Sequence, residues 1–197
     1  GRARFKDAQT AVLSPEDGKQ RELTFQHAIV STGSAPVRLP NLPDSDRVMT
    51  SREALDVNDL PGRLLVIGGG YIGLELGQVY ASLGSRVTVC EMLPDLLPGA
   101  DRDLMRFLAE RLDDQFEAVF TGTRAGKVKE AGKELKVAFE GEHDHEAAFD
   151  NIMVAVGRKP YTQGLDLEAA GVELDENGFI AVDPQRRTTS ETIFAVG

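Results

Sequence analysis

Residues 64–77 read Leu-Leu-Val-Ile-Gly-Gly-Gly-Tyr-Ile-Gly-Leu-Glu-Leu-Gly, and few folds accommodate such a stretch. The first four residues form a continuous apolar run, the mark of a buried strand. A glycine turn follows, and Ile72, Leu76, Val79 and Leu83 then recur at helical spacing. Within the turn Gly68, Gly70 and Gly73 satisfy G-x-G-x-x-G. Each glycine does what a side chain would block. Gly68 permits the tight strand-to-helix reversal, Gly70 lets a pyrophosphate reach the backbone, and Gly73 lets the helix close on the strand. The helix start then offers free N–H groups and a partial positive charge to phosphate oxygens.

The surroundings match that motif. Gly84 ends the helix, and residues 86–90 (Arg-Val-Thr-Val-Cys) read as a second strand. Glu91 stands at its end, about 20 residues beyond the turn, where an acid accepts hydrogen bonds from an adenosine ribose. The bland alternative is a plain strand–turn–helix unit with a surface Glu. The acid favours NAD, because a 2′-phosphate would be repelled by Glu91. The next residues, Met92, Leu93 and Pro94, supply no arginine to accommodate one.

The chain has 197 residues, of which 41 % are hydrophobic, enough for one large domain or two small ones with a real core. No apolar run approaches membrane-spanning length, and no signal peptide is recognisable. The sequence begins at Gly1 without Met, which suggests an excised piece or a processed product. A net charge of −10, spread along the chain, argues against nucleic acid or an anionic membrane as partner. The single cysteine, Cys90, excludes an internal disulfide and a multi-cysteine metal site, and its strand position suggests a small core hydrophobe. A cytoplasmic location is the expectation.

Taken in order, residues 1–37 read as β. Short strands are expected at 1–5, 10–13, 22–25 and 28–32, with polar turns between them. Pro36, Pro40 and Pro43 then mark an extended crossing. Ser51 is a candidate cap for a short helix with Ala54 and Leu55 on its apolar side. After Glu91, Pro94 and Pro98 make a loop. Asp101 can cap a helix carrying Leu104, Phe107, Leu108 and Leu112 on one face. Residues 117–120 are expected as the third parallel strand. Residues 127–130 and 135–140 flank Ala131-Gly132-Lys133 as an antiparallel excursion. Residues 152–156 read as a strand buried on both faces, ending at Gly157 where ligands bind a parallel sheet. Residues 167–170 make a helical turn stopped by Gly171, and 179–182 and 193–196 read as strands.

These residues support a family resemblance. The 68–77 turn, Glu91, the strand into Gly157-Arg158-Lys159-Pro160, and the final Thr192-Ile193-Phe194-Ala195-Val196-Gly197 together resemble the FAD-dependent pyridine nucleotide–disulfide oxidoreductases. Ala100-Asp101-Arg102-Asp103-Leu104, Phe139-Glu140-Gly141 and Gly178-Phe179-Ile180 point within that family to the dihydrolipoamide dehydrogenase branch. The resemblance implies roles. Gly68, Gly69, Gly70, Tyr71 and Ile72 would line the NAD pyrophosphate, with Gly73 completing the cofactor-binding turn. Glu91 would hold the ribose, and Ala125 would lie near the adenine. Ala155, Val156, Gly157 and Arg158 would contact NAD from the strand end, and Glu75 would lie near the nicotinamide. Tyr71 would abut the nicotinamide pocket or, alternatively, pack on the sheet as a helix-start aromatic. Glu75 could instead be a solvated first-turn acid, and Arg158 a strand-end cation. Thr32, Gly33 and Ser34 would contact FAD or simply form a strand-end turn. Strands 28–30 and 193–196 would lie side by side.

The family's N-terminal FAD turn, its C-x-x-x-x-C disulfide and its C-terminal His–Glu pair are not in this sequence. His27, His143 and His145 match no catalytic position, and no metal site is read. His143 and His145 are expected to be solvated in an acidic turn. The expected architecture is α/β: a Rossmann-like NAD-binding domain at 45–160, a parallel sheet with an antiparallel β excursion, flanked by partial FAD-domain β segments at 1–44 and 161–197. The resemblance implies a parent that oxidises dihydrolipoyl groups of 2-oxoacid dehydrogenase complexes through a disulfide and FAD, passes hydride to NAD⁺, and works as a homodimer. This chain alone would be inactive. The alternatives are a glutathione or mercuric reductase-like enzyme, a transhydrogenase, an NADH peroxidase-like enzyme, or a non-catalytic NAD-binding sensor module.

Overall fold

The computed structural model describes residues 1–57 and 59–197. Its strands are β1 (Arg2–Asp7), β2 (Thr10–Ser14), β3 (Arg21–Thr24), β4 (Ala28–Val30), β5 (Ser34–Pro36), β6 (Val48–Thr50), β7 (Arg63–Ile67), β8 (Arg86–Cys90) and β9 (Ala118–Phe120). They continue with β10 (Thr123–Ala131), β11 (Glu134–Gly141), β12 (His145–Phe149), β13 (Asn151–Val154), β14 (Arg158–Pro160) and β15 (Ile193–Ala195). The helices are α1 (Tyr71–Ser82) and α2 (Arg102–Gln115). The chain forms two compact units, Pro36–Gly157 and the paired segments Gly1–Ala35 and Arg158–Gly197.

The Pro36–Gly157 unit is built on a five-stranded sheet in the order β6-β13-β7-β8-β9. Every described pairing in it is parallel. The strands are apolar on both faces because both faces are covered. Leu64 and Val66 of β7 join Leu74 and Tyr80 of α1 and Leu112 of α2 in one cluster. Leu65 and Ile67, one residue out of phase, join Leu135, Val137 and Phe139 of β11 in a second. The antiparallel sheet β10-β11-β12 therefore covers the face that a second layer of helices covers in an ordinary doubly wound fold. Arg63 fastens this cover: its guanidinium donates to Glu134 at 2.6 Å and Asp150 at 3.2 Å, and its N–H donates to Asp150 at 2.7 Å.

Several local expectations are corrected here. The buried face of α1 is Gly73, Leu74, Gly77 and Tyr80, not the stripe through Val79 and Leu83, which are exposed. The two glycines bring the helix close to the sheet, so the neighbouring face turns inward, and the Tyr80 hydroxyl donates to the Ala54 carbonyl at 2.9 Å. On α2 only Leu112 is buried; Leu104 and Phe107 are exposed, with the Arg106 guanidinium 5.0 Å from the Phe107 ring centre, and Asp101 makes no side-chain cap bond. The short turn at Glu53–Leu55 starts from Arg52, not Ser51. Glu53 organises it by accepting the Thr50 N–H at 2.8 Å and the Thr50 hydroxyl, which hold its carboxyl below the usual range. Ala54 is buried there, while Leu55 is exposed.

The second unit carries the antiparallel sheet β1-β2-β3, the pair β4–β15 and the pair β5–β14. Ala28 to Val30 run parallel to Ile193 to Ala195 in register, as the family resemblance implies. Phe5, Val30, Leu167, Ala170, Val172, Ile193 and Ala195 form its core. The turn Leu167–Ala170 ends at Gly171 with φ +69°, a conformation that suits glycine. No strand forms at 179–182, another correction. The Asp175 carboxylate accepts the Asn177 and Phe179 N–H groups, and Asp183 does the same for Gln185 and Arg187. Two such turns so close together leave room for a single bridge, Leu174 to Ile180.

Candidate functional site

The glycine turn at the end of β7 joins three neighbours. The Gly68 N–H donates to the Cys90 carbonyl at 2.8 Å, tying the ends of β7 and β8 together. Gly68 has φ +111°, and a Cβ there would lie 2.5 Å from the Ala155 carbonyl oxygen. Ala155 in turn donates its N–H to the Ile67 carbonyl at 2.8 Å. Ala155, Val156 and Gly157 thus continue β13 beside the turn, where the sequence reading places them.

The remaining glycines separate by what each one meets. A Cβ on Gly73 would lie 2.2 Å from the Gly68 carbonyl oxygen, and one on Gly69 would lie 2.4 Å from Leu96 Cδ2. Gly73 is needed by the protein itself, because the atom it meets is backbone, whereas at Gly69 it is the end of a leucine side chain. Gly70 meets neither: its φ of −81° suits any residue, and nothing lies within 4 Å of a Cβ built on it. The space at Gly70 faces the start of α1. Leu74 N–H makes the first intrahelical bond, to the Gly70 carbonyl at 3.0 Å. The amides of Tyr71, Ile72 and Gly73 therefore have no carbonyl within the helix to reach. An open face at Gly70 beside helix-start amides that lack intrahelical partners suits an anion, and the residues present fit a dinucleotide pyrophosphate.

Glu91 belongs to this turn more closely than the sequence suggests. One carboxylate oxygen accepts the Gly69 N–H at 2.7 Å, and the other accepts the Leu93 N–H at 2.8 Å. The carboxylate braces the turn, and each oxygen keeps a lone pair for a ribose hydroxyl. The loop after Glu91 adds a brace that sequence reasoning missed. Leu97 N–H donates to the Gly69 carbonyl at 3.0 Å, and Leu96 is buried against Gly69. The available signal was a Leu-Leu pair set between Pro94 and Pro98 in the loop that follows Glu91.

Tyr71 is 65 % exposed, so it does not pack on the sheet; with Glu75, also exposed, it lines one side of the first turns of α1. Ala125 is half-buried beside a register shift in β10, two residues past Thr123, whose N–H donates to the Glu91 carbonyl at 2.9 Å. Cys90 is buried and donates its thiol to the Thr123 carbonyl at 3.0 Å. Burial first, and the Glu91 charge second, push this thiol up to about 12, so it stays protonated and inert.

The other unit holds the second set of candidates. The Thr32 hydroxyl donates to the Tyr161 carbonyl at 2.7 Å, and Tyr161 N–H donates to the Gly33 carbonyl at 2.9 Å. Arg158 donates from Nε to Ser34 Oγ at 2.7 Å and from its guanidinium to the Ser34 carbonyl at 2.6 Å. The sequence assigns Arg158 and Ser34 to different cofactors, whereas the structure bonds them to each other. Gly33, with φ +72° and nothing within 4 Å of a built Cβ, leaves open space at this edge.

The known proteins that this chain resembles are flavin disulfide reductases and dihydrolipoyl dehydrogenases. The family model described as pyridine nucleotide-disulphide oxidoreductase matches residues 1–197. A dihydrolipoyl dehydrogenase of Vibrio cholerae is 42 % identical over 201 residues, and one of Haloferax volcanii is 41 % identical over 203. Each covers 100 % of this chain, which spans 42 % of either relative. Among solved structures, a Cu(II) complex of the HOCl-induced flavoprotein disulfide reductase RclA from Escherichia coli superposes with a TM-score of 0.89 at 31 % identity. It covers 100 % of this chain and 44 % of its own. LpdA from Mycobacterium tuberculosis gives 0.89 at 29 % identity.

Proposed function

This chain belongs to the pyridine nucleotide–disulfide oxidoreductase family, and we propose that it is the NAD-binding part of a dihydrolipoyl dehydrogenase. The observation that carries the reading is Gly70, the one glycine of the fingerprint that neither backbone strain nor packing requires. In this reading residues 45–160 form the NAD domain, and 1–44 and 161–197 are parts of an FAD domain. Gly68 to Ile72 line the pyrophosphate, with Gly70 leaving the approach clear and Gly73 letting the helix close on the strand. Glu91 holds the adenosine ribose, and its charge disfavours a 2′-phosphate. Ala125 sits by the adenine. Tyr71 and Glu75 lie by the nicotinamide, and Ala155, Val156, Gly157 and Arg158 contact the dinucleotide from the strand end. Thr32, Gly33 and Ser34 form one edge of the FAD site. When bound, the nicotinamide supplies a hydride acceptor, and the residues named here only bind and orient it.

The whole protein is proposed to be a cytoplasmic homodimer that oxidises dihydrolipoyl groups of 2-oxoacid dehydrogenase complexes with NAD⁺. The chain by itself is proposed to be inactive, because its one thiol, Cys90, is buried and has no partner for a redox disulfide. The likeness to RclA at 31 % identity supports a second reading, another flavin disulfide reductase of the same family. The full-length protein that carries this chain, assayed with dihydrolipoamide and NAD⁺ beside glutathione disulfide and NADPH, tests the choice. Turnover of dihydrolipoamide alone supports the first reading, and turnover of glutathione disulfide alone overturns it. Dihydrolipoamide turnover by the 197-residue chain would overturn its proposed inactivity.

A further inference from the structure

A cluster of rings lies beside Glu91 and has no part in the assignments above. Phe120 ends β9, and its carbonyl accepts the Glu91 N–H at 2.8 Å. Thr123 N–H returns to the Glu91 carbonyl at 2.9 Å, Gly122 N–H reaches the Leu93 carbonyl at 2.9 Å, and Glu142 N–H reaches the Gly122 carbonyl at 3.1 Å. His143 N–H donates to the Thr123 hydroxyl at 3.3 Å. Bond by bond, the backbone of Glu91 is tied to the turn that carries His143 and His145.

On this frame the His143 ring lies over Phe120, with centroids 4.7 Å apart and planes 33° apart. His145 stands edge-on to Phe120 at 5.2 Å and stacks on Phe139 at 4.9 Å and 27°. Phe139 is 1 % exposed, whereas both histidines are exposed. The sequence reading has these imidazoles simply solvated. The structure instead layers them against aromatic rings while leaving ring surface open. Among the described residues no group of three His, Cys, Asp or Glu is placed to hold a metal ion.

The direction of a bound dinucleotide supplies the use. Its pyrophosphate belongs at the start of α1, after β7, and its adenosine ribose at Glu91, after β8. Continuing the same way along the sheet edge leads to β9, which ends in Phe120. A base attached to that ribose would be directed toward the Phe120–His143 rings. We propose that His143, laid on Phe120 and flanked by His145, is the face on which the adenine stacks. His143 is thereby a specificity-determining residue for the adenosine half of the cofactor. The proposal rests on the dinucleotide reading of the glycine turn. Stacking of a base on an aromatic side chain is worth roughly tenfold or more in affinity.

The chain holds three histidines, so its imidazole ring signals are few enough to follow individually by NMR. Added AMP is expected to shift those of His143 and His145 and to leave that of His27 unmoved. His143→Ala is expected to weaken NADH on the order of tenfold and to leave reduced nicotinamide mononucleotide, which has no adenine, unchanged. His143→Phe is expected to keep the NADH affinity, because it keeps a ring face. AMP binding that moves neither imidazole overturns the proposal, as does a His143→Ala chain that binds NADH normally. Equal weakening of both nucleotides shows a purely structural role and overturns it too. An unmutated chain that binds neither AMP nor NADH overturns the dinucleotide reading itself, a result distinguishable from the others.

Discussion

Gly70→Ser is expected to stabilise the protein while removing its ligand. Gly70 occupies the N-cap of α1 with φ −81° and ψ 175°, angles that serine adopts freely, and a Cβ there meets nothing within 4 Å. Replacing glycine at a compatible position gains about 0.4–1 kcal/mol from the unfolded chain. Serine is also the better N-cap, by a few tenths of a kcal/mol. The sum, about 0.6–1.4 kcal/mol, raises Tm by roughly 1–6 °C in a chain of this length. Gly73→Ala is the contrast. Its Cβ would lie 2.2 Å from the Gly68 carbonyl oxygen and 3.1 Å from Val66 Cγ1. Overpacking of that kind costs about 1–3 kcal/mol. In the serine variant the new side chain stands where the pyrophosphate must approach. Losing two hydrogen bonds to a charged group, each worth about 1.5–3 kcal/mol, weakens NADH by about two orders of magnitude or more. Differential scanning fluorimetry and calorimetric titration of the two variants check both halves. A serine variant that binds NADH within about threefold of the parent, or that melts as early as Gly73→Ala, would refute the reasoning.

Cys90 is expected to resist thiol reagents at pH 8 in the folded chain and to react once denatured, followed by the absorbance of released thionitrobenzoate. Its folded-state value of about 12 lies above the ordinary 9.0, so the stabilisation it gives is complete below pH 9 and is lost as pH rises toward 12. Leu104→Ser and Phe107→Ser are each expected to change stability by no more than about 0.5 kcal/mol in urea denaturation. Leu112→Ala, on the same helix but fully buried, should cost about 2–5 kcal/mol. Glu91→Ala removes a brace from Gly69 as well as the ribose acceptor. It should lower the melting temperature and weaken NADH together, whereas Glu91→Gln, which keeps one carbonyl acceptor, should lose less of both.

Where a sequence signal is local and repeated, the structure follows it. The apolar run of β7, the glycine fingerprint and the acid ending β8 all depend on neighbours close in sequence, whereas the pairing of β4 with β15, far apart along the chain, was legible only through the family resemblance. The misread features depend on what the chain meets far away. The inward face of α1 was set by two glycines closing on the sheet, which a count of apolar residues cannot register. The apolar stripe of α2 looked like a core face, yet only Leu112 finds a buried place. β12 sits in a segment with charged and histidine residues, and its pairing with β11 becomes visible only once β11 is placed. At the site, the identity of the turn residues was legible. Their bracing by Leu96 and Leu97, and the ring cluster at Phe120 and His143, arise from loops folding back, for which periodicity gives no sign.

The most direct test of the account is calorimetric titration of this chain with NADH and with NADPH under the same conditions. The Glu91 carboxylate beside the glycine turn requires that NADH bind more tightly, and that Glu91→Ala narrow the gap by about 1–3 kcal/mol. Equal affinity of the unmutated chain for the two nucleotides, or binding of neither, would contradict the assignment of this turn as an NAD site.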